Sequence, residues 1–192
     1  LILRAIHFIR STPAVIIYNK MSNKATVTQD IIRNYGTTDK TYNYMLRKLL
    51  RRNAAFRNLF YNRVSHYNRS YSKILKIFYK PMKQIEIDSE IGGGFIIYHG
   101  YSTIVFANRI GENCSVYQQV TIGRGKKING IDIPTIGDNV DIFAGAKVIG
   151  GIHVGNNCKI GAGAVVTKDI PDNCTVVGNP GKIVKMNGKK ID

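Results

Sequence analysis

The chain has no tryptophan, only three cysteines, and a single glycine, Gly36, in its first 83 residues. Without a CxxC pair, three cysteines do not form a disulfide framework, and the four histidines are too few to suggest a zinc cluster. Cys114, Cys158 and Cys174 therefore read as packing residues in a reducing, cytoplasmic compartment, and no metal is expected. Long apolar runs are also missing. Arg4, His7 and Arg10 interrupt the first hydrophobic stretch, which leaves no uninterrupted 18 residues to span a bilayer. That stretch has no small-residue cleavage signal. The absence of an initiator methionine leaves the true amino terminus open.

Acidic residues are scarce in one half only. Residues 1–83 carry 17 Lys/Arg against Asp30 and Asp39, a balance of +15, whereas residues 84–192 carry 11 basic and 10 acidic residues. Of the 19 glycines, 18 lie after position 84. The chain thus divides into a basic helical region, 1–83, and a glycine-rich domain, 84–192. In the first, Thr26–Ile32 reads as a short helix with Thr28 as a cap, ending in a break over 34–38. From Thr41 the residues Tyr42, Met45, Leu49, Phe56 and Phe60 form one apolar stripe, and Ser70–Tyr79 reads as a further helix stopped by Pro81. The basic amphipathic start suits either a neighbouring helix or subunit, or peripheral contact with an anionic inner membrane surface. No nucleic-acid-binding module is visible, so nucleic acid is not an expected partner.

What the second half has is a period. An aliphatic residue returns every sixth position at Ile104, Ile110, Val116 and Ile122, then at Ile136, Ile142, Val148, Val154, Ile160 and Val166. Helices return at about 3.6 and simple strands at 2, so six fits a short strand plus a turn, repeated along a solenoid. Four positions after the aliphatic, in almost every rung, stands a small or apolar residue: Cys114, Val120, Val140, Ala146, Ile152, Cys158 or Ala164. Three such rungs per turn predict a mainly β chain, a triangular parallel β-helix.

Two places break the period. Ile91 and Ile97 keep the six-residue spacing, but Ile104 follows Ile97 by seven, so an extra residue falls in the rung of His99. A bulged corner there turns the imidazole outward, and a neutral imidazole suits proton abstraction from an alcohol. The second break is the loop 123–135, a polar excursion carrying Arg124, Lys126 and Lys127. Such insertions are common places for binding surfaces.

The stretch IGGGFIIYHGYSTIVFANRIGENC, residues 91–114, followed by SVYQQVTIG, resembles the serine acetyltransferase branch of the hexapeptide-repeat acyltransferases, which includes sugar O-acetyltransferases. The resemblance implies a left-handed β-helix, acetyl-coenzyme A as co-substrate, a homotrimer with intersubunit sites, and His99 as general base. The closing VVGNPGKIV resembles the family's final turn. Four positions depart from the pattern: Tyr98 stands where serine-specific relatives have aspartate, Ile133 where they have a second histidine, Gln84 where they have the histidine-orienting aspartate, and Gly181 where the closing turn usually has alanine.

On this basis Asp88 is the carboxylate expected to orient His99. Coenzyme contacts are expected from Gly123, Arg124, Gly145, Ala146, Ala162, Gly163, Lys168 and Lys182, and acceptor contacts from Tyr98, Gln118 and Lys126. Tyr98 and Ile133 favour a saccharide acceptor in surface polysaccharide synthesis, with L-serine as the alternative. A non-enzymatic β-helix scaffold is the alternative of a different class; an exposed His99 favours the enzyme.

Overall fold

In the computed structural model, which describes residues 2–36 and 39–191, the six-residue period folds as a three-sided parallel coil. The first sheet is formed by β1 (Ile85–Ile87), β4 (Thr103–Val105), β7 (Thr121–Gly123), β10 (Lys147–Ile149) and β13 (Val165–Val166). The second contains β2 (Glu90–Ile91), β5 (Arg109–Ile110), β8 (Thr135–Ile136) and β11 (His153–Val154). The third contains β3 (Ile96–Ile97), β6 (Ser115–Val116), β9 (Asp141–Ile142), β12 (Lys159–Ile160) and β14 (Cys174–Val177), closed by the antiparallel β15 (Lys182–Met186) and β16 (Lys189–Lys190). The chain visits the three sheets in turn, and successive coils pair in parallel register, with Ile110 beside Ile136 and Val116 beside Ile142. This is the parallel β-helix that the repeat predicts, with the left-handed coil that the resemblance implies.

Both inward positions of the repeat are filled as their chemistry requires. Ile110, Val116, Ile122, Ile136, Ile142, Val148, Val154, Ile160 and Val166 are buried, as are Cys114, Val120, Val140, Ala146, Ile152, Cys158 and Ala164. Each large aliphatic side chain buried this way contributes about 1.5–3 kcal/mol, and stacking makes one continuous core. Between the second and third sheets the coils touch through glycine. A Cβ on Gly92 would lie 2.6 Å from the carbonyl carbon of Gly111, and one on Gly111 equally close to that of Gly137. The cysteines are free and buried, and burial pushes the Cys158 and Cys174 thiols up.

One register differs from the sequence reading. Ile104 is 40% exposed, and Val105, paired with Ile122, is the inward residue of β4. The interval from Ile97 to the next inward residue is therefore longer than seven, and the next interval, to Ile110, is correspondingly short. The corner at His99 is a larger bulge than the spacing indicates.

The chain divides into two compact units, 1–83 with 93–96, and 84–92 with 97–192. The first is helical: α1 (Ile2–Lys20), α2 (Lys24–Tyr35), α3 (Tyr42–Arg52), α4 (Ala54–Tyr67) and α5 (Arg69–Phe78). Helix α2 starts earlier than expected, after Asn23, and Thr28 is not its cap, because the Thr28 hydroxyl donates to Lys24 O within the helix. Gly36 ends it in the left-handed conformation; Thr37 and Thr38 of the expected break lie outside the described residues. The stripe from Tyr42 to Phe60 belongs to two helices. Asn53, extended, ends α3 and caps α4 by accepting from Phe56 N at 2.9 Å.

Inside this unit Asp30, 1% exposed, accepts from Arg63 at 2.9 and 3.2 Å and from Phe95 N at 2.9 Å. Asn34 Nδ2 donates to Phe95 O, and Arg33 reaches Gly94 O. Burial pushes the Asp30 carboxyl up, opposed by the Arg63 charge and by the backbone N–H groups of Phe95 and Gly94. A buried carboxylate with four donors is satisfied, and its removal would strand Arg63.

Candidate functional site

Where the third sheet turns into the first, each coil exposes a short corner, and these corners stack in a column. In the earliest coil the corner is the bulge from Tyr98 to Ser102. His99, Gly100 and Ser102 all have positive φ, at 63°, 72° and 50°, and His99 is exposed. Gly100 N donates to Tyr98 O at 2.7 Å, closing the turn. A Cβ on Gly100 would lie 2.4 Å from Ile85 Cδ1, and its φ of 72° favours glycine beside His99. A non-glycine residue in the left-handed region is strained and is held there by its surroundings.

Those surroundings include an aromatic column absent from the sequence reading. The Tyr98 and Tyr117 rings stack with centroids 4.6 Å apart, and Phe143 continues the column at 5.2 Å from Tyr117. Each of these residues directly follows an inward aliphatic: Ile97, Val116 and Ile142. That common offset was the sequence signal available for finding them.

Next to the rings lies a column of small and polar residues. Gln118 and Gln119 follow Tyr117, Ala144 and Gly145 follow Phe143, and Ala162 and Gly163 occupy the next coil. Backbone hydrogen bonds tie the levels together: Gln119 N to Tyr101 O at 2.7 Å, Gly145 N to Gln118 O at 3.0 Å, and Gly163 N to Ala144 O at 2.9 Å. Gly145 and Gly163 have positive φ, and a Cβ on Gly163 would meet nothing within 4 Å. The corner is therefore open for a narrow chain to lie against it. Gln118 Oε1 is buried without a hydrogen-bond partner among the described residues. An unfilled buried acceptor costs about 1–3 kcal/mol, which a donor on a ligand would recover.

Other expected site residues lie elsewhere. Asp88 follows β1, at the turn from the first sheet into the second, whereas His99 precedes the first sheet. No hydrogen bond joins them among the described residues. Asp88 instead lines a cavity of about 430 Å³ with Glu86, Phe106, Gly123 and Arg124, so within one chain it stands on a different corner from His99. At the His99 end of β1 stands Gln84, whose backbone oxygen accepts from Thr103 N.

Gly123 ends β7, and Arg124 and Lys168 follow strands of the first sheet, on the corner of Asp88. Arg124 pairs with Asp132 at 2.5 Å across its own loop and lies over the Phe106 ring. Lys126 is exposed in that loop, which turns at Asn129–Gly130 and packs back on Gly150 and Gly151, with Gly151 N donating to Lys126 O. Ala146 is fully buried in the solenoid and cannot line an outer surface with its side chain. Lys182 is exposed on β15 beside Val177. Within one chain, then, the expected coenzyme residues separate into two corners, with Gly145, Ala162 and Gly163 on that of His99.

Residues 133–168 match the family described as bacterial transferase hexapeptide (six repeats). The solenoid is similar to the hexapeptide-repeat transferases, and the relatives it matches are consistent with their serine acetyltransferase-like branch. The chain is 48% identical over 110 residues to a serine acetyltransferase of Bacillus pumilus, covering 57% of this chain and 51% of that protein. It is 42% identical over 110 residues to one of Synechococcus elongatus, covering 57% and 45%. The chain thus spans about half the length of the curated relatives it matches. Among solved structures it resembles the serine acetyltransferase of Neisseria gonorrhoeae, with TM-score 0.64 and 29% identity over 87% of this chain and 66% of that one. It also resembles serine acetyltransferase isoform 3 of Entamoeba histolytica in complex with cysteine, with TM-score 0.62 and 34% identity over 85% and 61%. These relatives overturn the expectation of a saccharide acceptor in polysaccharide synthesis: they are serine acetyltransferases. Tyr98 and Ile133 are single-position departures within a solenoid otherwise similar to theirs, and they do not outweigh that similarity.

Proposed function

We propose that the chain transfers acetyl from acetyl-coenzyme A to the hydroxyl of L-serine, with His99 as general base. The observation that carries this reading is the 42–48% identity to serine acetyltransferases over 110 residues. The exposed His99 on the lengthened corner supports an enzyme over a scaffold.

In this mechanism the neutral imidazole takes the serine hydroxyl proton as the oxygen attacks the thioester carbonyl. A tetrahedral intermediate forms, its carbon–sulfur bond breaks, and the imidazolium returns the proton to the coenzyme A thiolate. The positive φ of His99 and the ring stack beneath Tyr98 hold the base at the corner. The open edge at Gly145, Ala162 and Gly163 suits the pantetheine arm, and Gln118 Oε1 supplies an acceptor for a ligand N–H.

A threefold assembly would bring different corners of neighbouring subunits together. That arrangement supports an intersubunit site, since Arg124 and Lys168 stand on a different corner of the coil from His99. Thiol release from acetyl-coenzyme A with and without L-serine, with O-acetylserine identified by mass, tests the activity. Absence of that product from protein that binds acetyl-coenzyme A overturns the reading. Sedimentation over a range of concentrations tests the trimer, and a fully active monomer excludes the shared site.

A further inference from the structure

The helical unit contains a second recess that the proposed chemistry does not use. Arg4, His7, Phe8 and Ser11 of α1 face Tyr44, Arg47, Lys48 and Arg51 of α3 around a cleft of about 360 Å³. Both sets have the spacing i, i+3, i+4, i+7, one face of a helix. Five of the eight side chains are basic or imidazole, and none of the eight is acidic.

The positive charge is not relieved within the unit. Asp30 is buried against Arg63, and Asp39 pairs with its neighbour Lys40. Desolvation, with the charges of Arg51 and Arg10, holds His7 below the usual imidazole range. Arg47 is fixed at the cleft by hydrogen bonds to Phe8 O at 2.7 Å and Ser11 Oγ at 2.6 Å, and by stacking 4.0 Å over the Phe8 ring. Arg4 and Arg51 are exposed.

The same two turns of α1 leave large apolar side chains in solvent: Ile6, Phe8 and, at 71%, Ile9. Among the described residues no helix is long and apolar enough to cross a membrane. An acid-poor cationic cleft beside exposed isoleucines matches a surface that is anionic outside and apolar within. A second copy of the same face would instead oppose cations to cations, and a nucleic acid backbone has no use for exposed isoleucine.

We propose that the cleft between α1 and α3 binds the phosphate headgroups of an anionic phospholipid surface, with Ile6 and Ile9 entering its apolar layer. The side chains that supply this contact are Arg4, Lys48 and Arg51 at the open edge and Arg47 at the floor. Binding is peripheral and weakens with salt, because headgroup attraction falls off within a Debye length.

The test is co-sedimentation of the full chain with vesicles of phosphatidylcholine alone and of phosphatidylcholine mixed with phosphatidylglycerol. Binding is expected only to the mixed vesicles. The double variant Lys48→Gln with Arg51→Gln should bind about 25-fold more weakly, at roughly fivefold per neutralised charge. Ile9→Ser should weaken binding without altering its salt dependence. Unchanged melting temperatures of these surface variants exclude unfolding as the cause. Glycerol phosphate is the soluble control: if it is bound by the cleft and no vesicle is, the site takes a free phosphate and the proposal fails. Equal binding to neutral vesicles, an unaffected double variant, self-association through this face, or tighter binding to a DNA duplex would each overturn it as well.

Discussion

Tyr98 stacks on Tyr117 with ring centroids 4.6 Å apart and 25° between their planes, which fixes the residue immediately before His99. The contact joins two successive coils, so the lengthened corner is braced by the regular one beside it. Tyr117 is in turn 5.2 Å from Phe143, so the brace extends over a third coil.

Tyr117→Ala removes this brace while leaving His99 and the coil backbone in place. Aromatic pairs contribute about 0.5–1.5 kcal/mol beyond the area they bury. The variant should unfold at a lower temperature and lose turnover with little change in the Michaelis constant for acetyl-coenzyme A. Tyr117→Phe should restore both; failure of phenylalanine to rescue would mean that the hydroxyl, not the stack, is what matters.

His99→Asn and His99→Ala test the base. General base catalysis is worth roughly 10²–10⁴-fold, and the rate of acetyl transfer should fall by that factor while coenzyme binding persists. Because His99 is exposed, its replacement should have little effect on folding, and the melting temperature serves as the control. Undiminished turnover removes His99 from the role.

Gln118→Leu separates ligand binding from stability. The buried Oε1 has no partner among the described residues, so an apolar side chain of similar length should leave the melting temperature unchanged or raise it. If Gln118 receives a ligand N–H, the same substitution should raise the Michaelis constant of serine or acetyl-coenzyme A about tenfold, the loss of one hydrogen bond of roughly 1–1.5 kcal/mol. A variant with wild-type kinetics would make the orphaned oxygen a purely structural feature.

The thiols provide a probe of the solenoid. Cys158 and Cys174 hold their protons more tightly in the fold than in the unfolded chain, because burial disfavours the thiolate. Both should resist alkylation in the native protein and react when it is denatured. The sign of the linkage follows: as pH rises through the ordinary thiol range near about 8.5, unfolded thiols lose protons that folded ones keep, so stability should decline there. Rapid labelling of the native protein at neutral pH would show that the coils open locally.

The six-residue period by itself determined the coil, its two inward positions and the exposed setting of His99. Where the period holds, a strand only two or three residues long leaves little room for ambiguity: the periodic aliphatic faces the core and the next residues turn. Periodicity was weaker where the period breaks. From the interval at Ile104 the bulge looked one residue long, but the inward residue is Val105 and Ile104 points out, because pairing with β7 selects the register. Local spacing cannot see that choice, since it depends on Ile122, a full coil away.

The helical half was legible in outline, its helices in approximate place, with the stripe from Tyr42 to Phe60 divided at Asn53 by a cap that competes locally with helix continuation. Only the tertiary structure decided which charged groups share a corner. Asp88, Arg124 and Lys168 looked near His99 or the coenzyme groove along the chain, yet a three-sided coil turns a corner after every short strand and sends neighbours in sequence to different sides. Tyr98, Tyr117 and Phe143 show the converse: separated along the chain, they are brought into one stack by the repeat itself.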